Sequence, residues 1–224
     1  MKEFLSGHLD HLSAQSLRRR KIVLENASAR EITFKGKKLL NFSSNDYLGL
    51  SKDPRVIQSA ENALRRYGAG SRSSRMISGS LEIHEELERR LAEFRGAESC
   101  LVFPSGFMTN LGVLSALLNE GDAVIMDRLD HASIIDAARL SRARVFVYEH
   151  CSPSSLDKVL HRTRDYRNRL VVTDTLFSMD GDFAPLSQIA DLCKSHGAWL
   201  MADDAHAVGV FGKNGSGMAE HFGL

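Results

Sequence analysis

The stretches SCLVF (99–103), AVIMD (123–127), RVFVY (144–148), RLVVTD (169–174) and AWLMADD (198–204) decide the fold. All five are short and apolar or β-branched, and segments of helical periodicity, starting at Ser105, His131, Ser154 and Pro185, fill the spaces between them. Strands buried on both sides show no polar alternation, so this pattern predicts a mainly parallel sheet with helices on both faces. The expected fold class is α/β. Ligands of such sheets bind in the crevice beyond the carboxyl ends of the strands. Functional groups are therefore expected at Ser105, at Asp127 to His131, at Ser178 and at Asp203 to His206.

Upstream of this region, Pro54 suits the first turn of a helix that runs from Val56 to Tyr67 and closes at Gly68-Ala69-Gly70-Ser71. A second helix is expected from about Leu81 to Phe94, after the Gly79-Ser80 turn. Nearer the N-terminus, apolar positions from Phe4 to Ile22 recur at helical spacing and close on Arg18-Arg19-Arg20-Lys21, a run that also reads as an ordinary solvated helix end. EITF (31–34) and KLLNF (38–42) flank Gly36 as two short strands, and residues 43–50 are turn-rich. The predicted division is an N-terminal helix and small-lobe arm over residues 1–50 and a larger domain over 51–224.

Bulk composition narrows the function classes. A chain of 224 residues that is 43% hydrophobic and 25% charged is an ordinary globular sequence. Its 29 Lys and Arg nearly balance 28 Asp and Glu, so there is no electrostatic footprint for nucleic acid or an anionic membrane. Cys100, Cys151 and Cys193 are too few and too scattered for a disulfide framework or a close-spaced zinc site. The polar start MKEFLSGHLDHLSAQ does not resemble a secretion signal, and no run approaches the roughly 20 apolar residues of a membrane span. A cytoplasmic protein acting on small molecules is expected.

Three positions carry candidate chemistry. Pro104-Ser105-Gly106-Phe107 opens a helix, so its free backbone N–H groups form either a phosphate seat or simply a capped turn. His131 follows a strand and starts a helix; its ring can stack on a flat ligand over the crevice, or serve as a surface helix start. Asp203 ends an apolar strand, where a carboxylate is costly to bury unless it meets a cation or a donor. A protonated pyridine nitrogen is one such cation, and His206 and Ser178 could then donate to the phenolic oxygen of the same ring. Asp203 and His206 could equally be two ligands of a metal site, although no further ligands stand at compatible spacing. Alternation along the strand sends Asp203 and Asp204 to opposite faces.

LNFSSNDYLGLS (40–51), SGF (105–107), DRLDHASIIDAARLS (127–141), TLFSMDGDFAPL (175–186) and ADDAHAVGVFG (202–212) resemble, in order and spacing, the α-oxoamine synthases. The resemblance implies a fold-type I, aminotransferase-like architecture, pyridoxal 5'-phosphate as cofactor, and a homodimer with its active sites at the subunit interface. It implies that Gly106 and Phe107 hold the cofactor phosphate, that His131 stacks on the ring beside the substrate, that Asp203 pairs with the pyridine nitrogen, and that Ser178 and His206 bond the phenolic oxygen. His131, Asp203 and His206 would be the catalytic group. Asn45 resembles the contact to the amino-acid carboxylate, and Arg18, or Arg19 with a one-residue shift, resembles an acyl-substrate contact.

Within the family, LNFSSNDYLGLS, SRMISGSLEIHEELE and FSMDGD look most like the branch that joins L-alanine to a pimeloyl thioester, carried on coenzyme A or a carrier protein, with loss of carbon dioxide in biotin synthesis. The glycine-using 2-amino-3-ketobutyrate CoA ligase is the near alternative, and a non-catalytic protein that keeps the pocket or pairs with a homologue is the alternative of another class. Two departures accompany the resemblance. The glycine-rich segment reads GAGSRSSRMISG, with Arg72 and Ser73 where adjacent glycines are usual. The Schiff-base lysine and the small C-terminal domain are expected beyond the last residue, and Lys213, in the FGKNGSG turn, does not replace that lysine.

Overall fold

The computed structural model describes all 224 residues, which divide into two units, Met1–Asn62 and Ala63–Leu224. The first unit holds helix α1 (Lys2–Ala14) and an antiparallel sheet of β1 (Asn26–Ala27), β2 (Glu31–Phe34) and β3 (Lys37–Leu40). Lys35 and Gly36 both take positive φ, 49° and 70°, in the two-residue turn of the β2–β3 hairpin, as a type I′ turn requires. Helix α1 is shorter than its periodicity predicts. Ser16 takes φ 57°, and the N–H of Leu17 folds back onto the carbonyl of Leu12, so the Arg18–Lys21 run lies outside the helix.

Helix α2 (Pro54–Tyr67) leads into the second unit, where a π-type turn at Arg75–Gly79 precedes α3 (Glu82–Arg95). There follow α4 (Gly106–Leu117), β4 (Ala123–Asp127), α5 (Ala132–Leu140), β5 (Arg144–Tyr148), α6 (Pro153–Arg162), β6 (Arg169–Asp174), α7 (Leu186–His196), β7 (Trp199–Asp203) and the short α8 (Met218–Phe222). All pairings in the four-stranded sheet are parallel, in the order β5-β4-β6-β7.

The expected fifth strand, SCLVF, is absent. Val102 gives its N–H to the Glu88 carboxylate at 2.8 Å instead of to a strand, and Leu101 is 74% exposed. Glu88 also receives Arg75 at 2.5 Å, so this segment is tied to α3 and the π-type turn.

Alternation in β4 builds two cores. Val124 and Met126 pack with Leu114 of α4, Leu118 just after it, and Ile134 and Ala137 of α5. Ile125 faces the other way, to Leu156, Leu160, Ile189 and Cys193 of α6 and α7. After β4 the chain moves to one side of it and then returns to build β6 and β7 on the other. The strand order therefore reverses between β4 and β6, and a crevice opens beyond their carboxyl ends.

Candidate active site

Asp127 ends β4, Asp174 ends β6 and Asp203 ends β7, so three carboxylates arrive at the same edge of the sheet. The first two start the turns that carry His131 and Ser178. Asp130, in the first turn, accepts the N–H of Asp127 and the N–H of Asp174, both at 2.9 Å, and so joins the ends of β4 and β6. Asp174 in turn accepts the N–H of His131 at 2.8 Å. Burial pushes Asp130 up to about 9, against the pull of its backbone donors. Burial likewise raises Asp174 to about 6, with the Asp203 charge adding and the His131 N–H and the nearby His131 and His206 opposing. His131, Asp174 and Ser178 line a common cleft of about 200 Å³, together with Leu129, Phe177 and Met179. A larger cleft of about 380 Å³ at α3, walled by salt-bridged Arg66, Glu82, Glu86 and Arg89, lacks such groups.

The buried Asn110, in the middle of α4, links His131 to Asp203. Its amide donates to Asp203 Oδ2 at 2.9 Å and to Ser133 Oγ at 2.8 Å. Ser133 Oγ lies 2.7 Å from His131 Nδ1, and the Ser133 N–H reaches the same nitrogen at 3.2 Å. Because Ser133 Oγ already accepts from Asn110, its hydroxyl proton is free to point at Nδ1. His131 Nδ1 is then an acceptor, which leaves Nε2 as the ring's N–H in the neutral form. The exposed ring is thus fixed in orientation and tautomer.

Asp203 takes a second donor, the Ala205 N–H at 3.1 Å, and no lysine or arginine pairs with it. Asp204 points elsewhere, as alternation requires: it is buried and bonded to Arg95 at 2.7 Å and Thr175 at 2.5 Å. Of the two, only Asp203 faces α4. His206 follows Asp203 by three residues, just beyond the end of β7.

The start of α4 lies one turn before Asn110. Ser105 caps the helix by accepting the Met108 N–H at 3.2 Å. Gly106 and Phe107 precede the first turn's internal donors, so their N–H groups have no intrahelical acceptor, and nothing lies within 4 Å of where a Cβ on Gly106 would stand. Asn45 and Arg18 lie in the other unit. Asn45 is exposed and close to the Tyr47 hydroxyl at 3.5 Å, and Arg18 donates to Ser13 at 3.4 Å.

A second clasp joins the turns bearing His131 and Ser178. His150 sets its ring nitrogens 2.8 Å from Asp127 Oδ1 and 2.9 Å from Asp182 Oδ2. Carboxylates only accept, so both contacts are hydrogen bonds only when the ring carries two protons. Burial disfavours the charged ring, but the bonds to Asp127 and Asp182 outweigh it and raise its pKa.

A parallel sheet with helices on both faces, a capped helix start and a strand-end aspartate are the layout of a fold-type I, aminotransferase-like α/β fold. The aminotransferase class I and II profile matches residues 37–222, and the chain belongs to that family. Among curated relatives it is 49% identical to an 8-amino-7-oxononanoate synthase of Exiguobacterium sibiricum and 46% identical to 8-amino-7-oxononanoate synthase 1 of Bacillus subtilis, each over 99% of this chain. It spans 57% of the length of each of these relatives. A serine palmitoyltransferase variant from S. paucimobilis, solved with a PLP–myriocin adduct, superposes with a TM-score of 0.90 at 36% identity, covering 98% of this chain and 56% of that one.

Proposed function

We propose that these residues form the cofactor-binding part of a pyridoxal-phosphate-dependent acyltransferase that condenses L-alanine with a pimeloyl thioester. The products are 8-amino-7-oxononanoate, carbon dioxide and the free thiol carrier. The observation that carries this reading is the chain of hydrogen bonds Asp203–Asn110–Ser133–His131, set at the switch point of the sheet beside the capped start of α4.

Three features of the chain fit the cofactor. Gly106 and Phe107 offer two N–H groups at a helix start with open space beside them, which suits a phosphate. Asp203, held by two donors and unmatched by any lysine or arginine, suits a protonated ring nitrogen. The exposed face of His131 suits stacking. When bound, pyridoxal phosphate supplies an electron sink for the bond broken at the amino-acid α-carbon.

The protein's part is to keep that sink effective. Asp203 would hold a proton on the ring nitrogen, and Asn110 keeps that carboxylate aimed. Ser178 and His206 would donate to the phenolic oxygen, and His131 would cover one ring face. In a homodimer, Asn45 would take the alanine carboxylate and Arg18 the acyl substrate. Three unpaired cysteines suit a reducing cytoplasm.

Dialysis of the chain against pyridoxal phosphate, read by the cofactor's absorbance, tests the pocket: wild type should retain cofactor, and Asp203→Ala should weaken retention at least about tenfold. Equal retention by the two would overturn the assignment of Asp203. The substrate choice is tested with residues 1–224 joined to the remaining length of the E. sibiricum relative. Thiol release should require L-alanine with pimeloyl-CoA, whereas release with glycine and acetyl-CoA instead would favour the 2-amino-3-ketobutyrate ligase reading.

A further inference from the structure

At the opposite edge of the sheet, two helices end beside each other. Asp157 and His161 stand four residues apart on one face of α6, and His196 is the last residue of α7. His196 Nε2 lies 2.8 Å from Asp157 Oδ1, and His161 Nε2 lies 3.7 Å from the same oxygen. The two rings meet edge to face with centroids 4.6 Å apart, and one donor atom from each of the three residues falls within 4.8 Å of the others.

We propose that Asp157, His161 and His196 form a binding site for a divalent transition-metal ion, with Zn²⁺ as its reference occupant, that ties α6 to α7. Two imidazole nitrogens and a carboxylate oxygen are a donor set such ions accept, with a fourth position left to water. Bonds of about 2.0–2.2 Å put tetrahedral ligand atoms roughly 3.3–3.6 Å apart. The observed 2.8 and 3.7 Å bracket that spacing, so small ring and carboxylate movements are sufficient.

Two further features favour a cation here. His161 lies in the last turn of α6 and His196 ends α7, so two helix C-termini, each with partial negative charge, converge on the cluster. Asp157 has no ion-pair partner other than these two histidines, so no lysine or arginine competes for its charge. The His196 side chain is only 16% exposed, and its backbone carbonyl is held by Arg169, so one ligand is already fixed. The other cluster with metal-binding residue types, Asp127, His150 and Cys151, is a weaker candidate. There His150 is committed to two carboxylates, and burial pushes the Cys151 thiol up to about 12, away from the thiolate a metal needs.

The test is titration of the purified chain with Zn²⁺ by calorimetry, alongside thermal melts with the ion and with a chelator. One ion per chain is expected, with a higher melting temperature. His161→Ala should weaken binding at least about tenfold and His196→Ala more, while Cys151→Ser keeps it. His161 is 68% exposed, so its replacement leaves the fold intact. Binding that survives the His161→Ala/His196→Ala double variant, or that Cys151→Ser abolishes, would overturn the assignment, as would a wild-type chain that takes up no ion.

Discussion

Asn110 donates through a single amide to acceptors on two other elements, Ser133 of α5 and Asp203 of β7. Asn110→Ala leaves both without that donor, which costs roughly 1–3 kcal/mol for buried groups. We expect that loss in urea unfolding, together with cofactor retention weakened by about tenfold, the equivalent of about 1.4 kcal/mol. Asn110→Asp should be worse than Asn110→Ala, because it sets a second carboxylate where the amide now meets Asp203. If the two variants bind cofactor equally, Asn110 does not orient Asp203. His150 works between turns rather than helices. His150→Ala removes the only basic side chain paired with the buried Asp127, and a stability loss of about 2–3 kcal/mol should appear in the same experiment. The places of His131, Asp203 and Ser178, at or just beyond strand ends, were legible in the sequence. Strand ends do not point to Asn110, although an amide inside the apolar run MTNLGVLSALL must find partners when buried. His150 and Asp182 were hidden for another reason: they are 32 residues apart and meet only once the sheet has formed.

Among the elements, the four strands of the parallel sheet and the helices between them follow the periodicity of their segments closely. SCLVF shows where that reading stops. Its composition is that of a strand, but a strand exists only beside a neighbour, and here Glu88 takes the N–H that a ladder would use. Helix α1 shows a second limit: periodicity continues past Ala14, but the helix buries no side chain that would hold its last turns. Junctions between elements were less legible still, and the one before α8 is tightly built. Gly217 has φ 108°, and a Cβ there would stand 1.8 Å from Asp204 Oδ2 and 2.6 Å from Arg95 Nη1. It sits beside the Arg95–Asp204 ion pair and the Met218 N–H that Asp204 also accepts. Gly121 has a similar φ of 94° but open space around it. Gly121→Ala should therefore cost only about 1 kcal/mol, the backbone penalty alone. Gly217→Ala should cost about 3 kcal/mol or more, because it also disturbs a partly buried ion pair. Equal melting temperatures for the two variants would mean that the junction gives way freely.

Across the whole molecule, the titratable groups divide into two sets, and together they fix how stability depends on pH. Glu88, held down to about 2 by Arg75 and the Val102 N–H, and Asp122, lowered by Arg167, are carboxylates that the fold keeps ionised. The unfolded chain binds their protons more readily, so their contribution is complete above about pH 5 and is lost on acidification. Asp174, at about 6, and Asp130, at about 9, are shifted the other way by burial. Between the ordinary aspartate value near 4 and these raised values, the folded state holds protons that the unfolded chain has released. Their stabilisation therefore declines as pH rises through that window. His150, raised by Asp127 and Asp182, has the same sign: its contribution is present below the ordinary histidine value and is lost as pH passes its folded value. With the first set saturated above pH 5 and the second set in decline, stability should peak near pH 5 and fall steadily to pH 9. Thermal melts of the cofactor-free chain at unit pH steps measure this directly. Asp174→Asn keeps an oxygen to accept the His131 N–H but cannot ionise, so it should flatten the fall around pH 6 while leaving the acid limb in place. A wild-type stability that climbs from pH 5 to 8, or a slope around pH 6 unchanged in Asp174→Asn, would show that the carboxyl groups at the strand ends are ionised throughout.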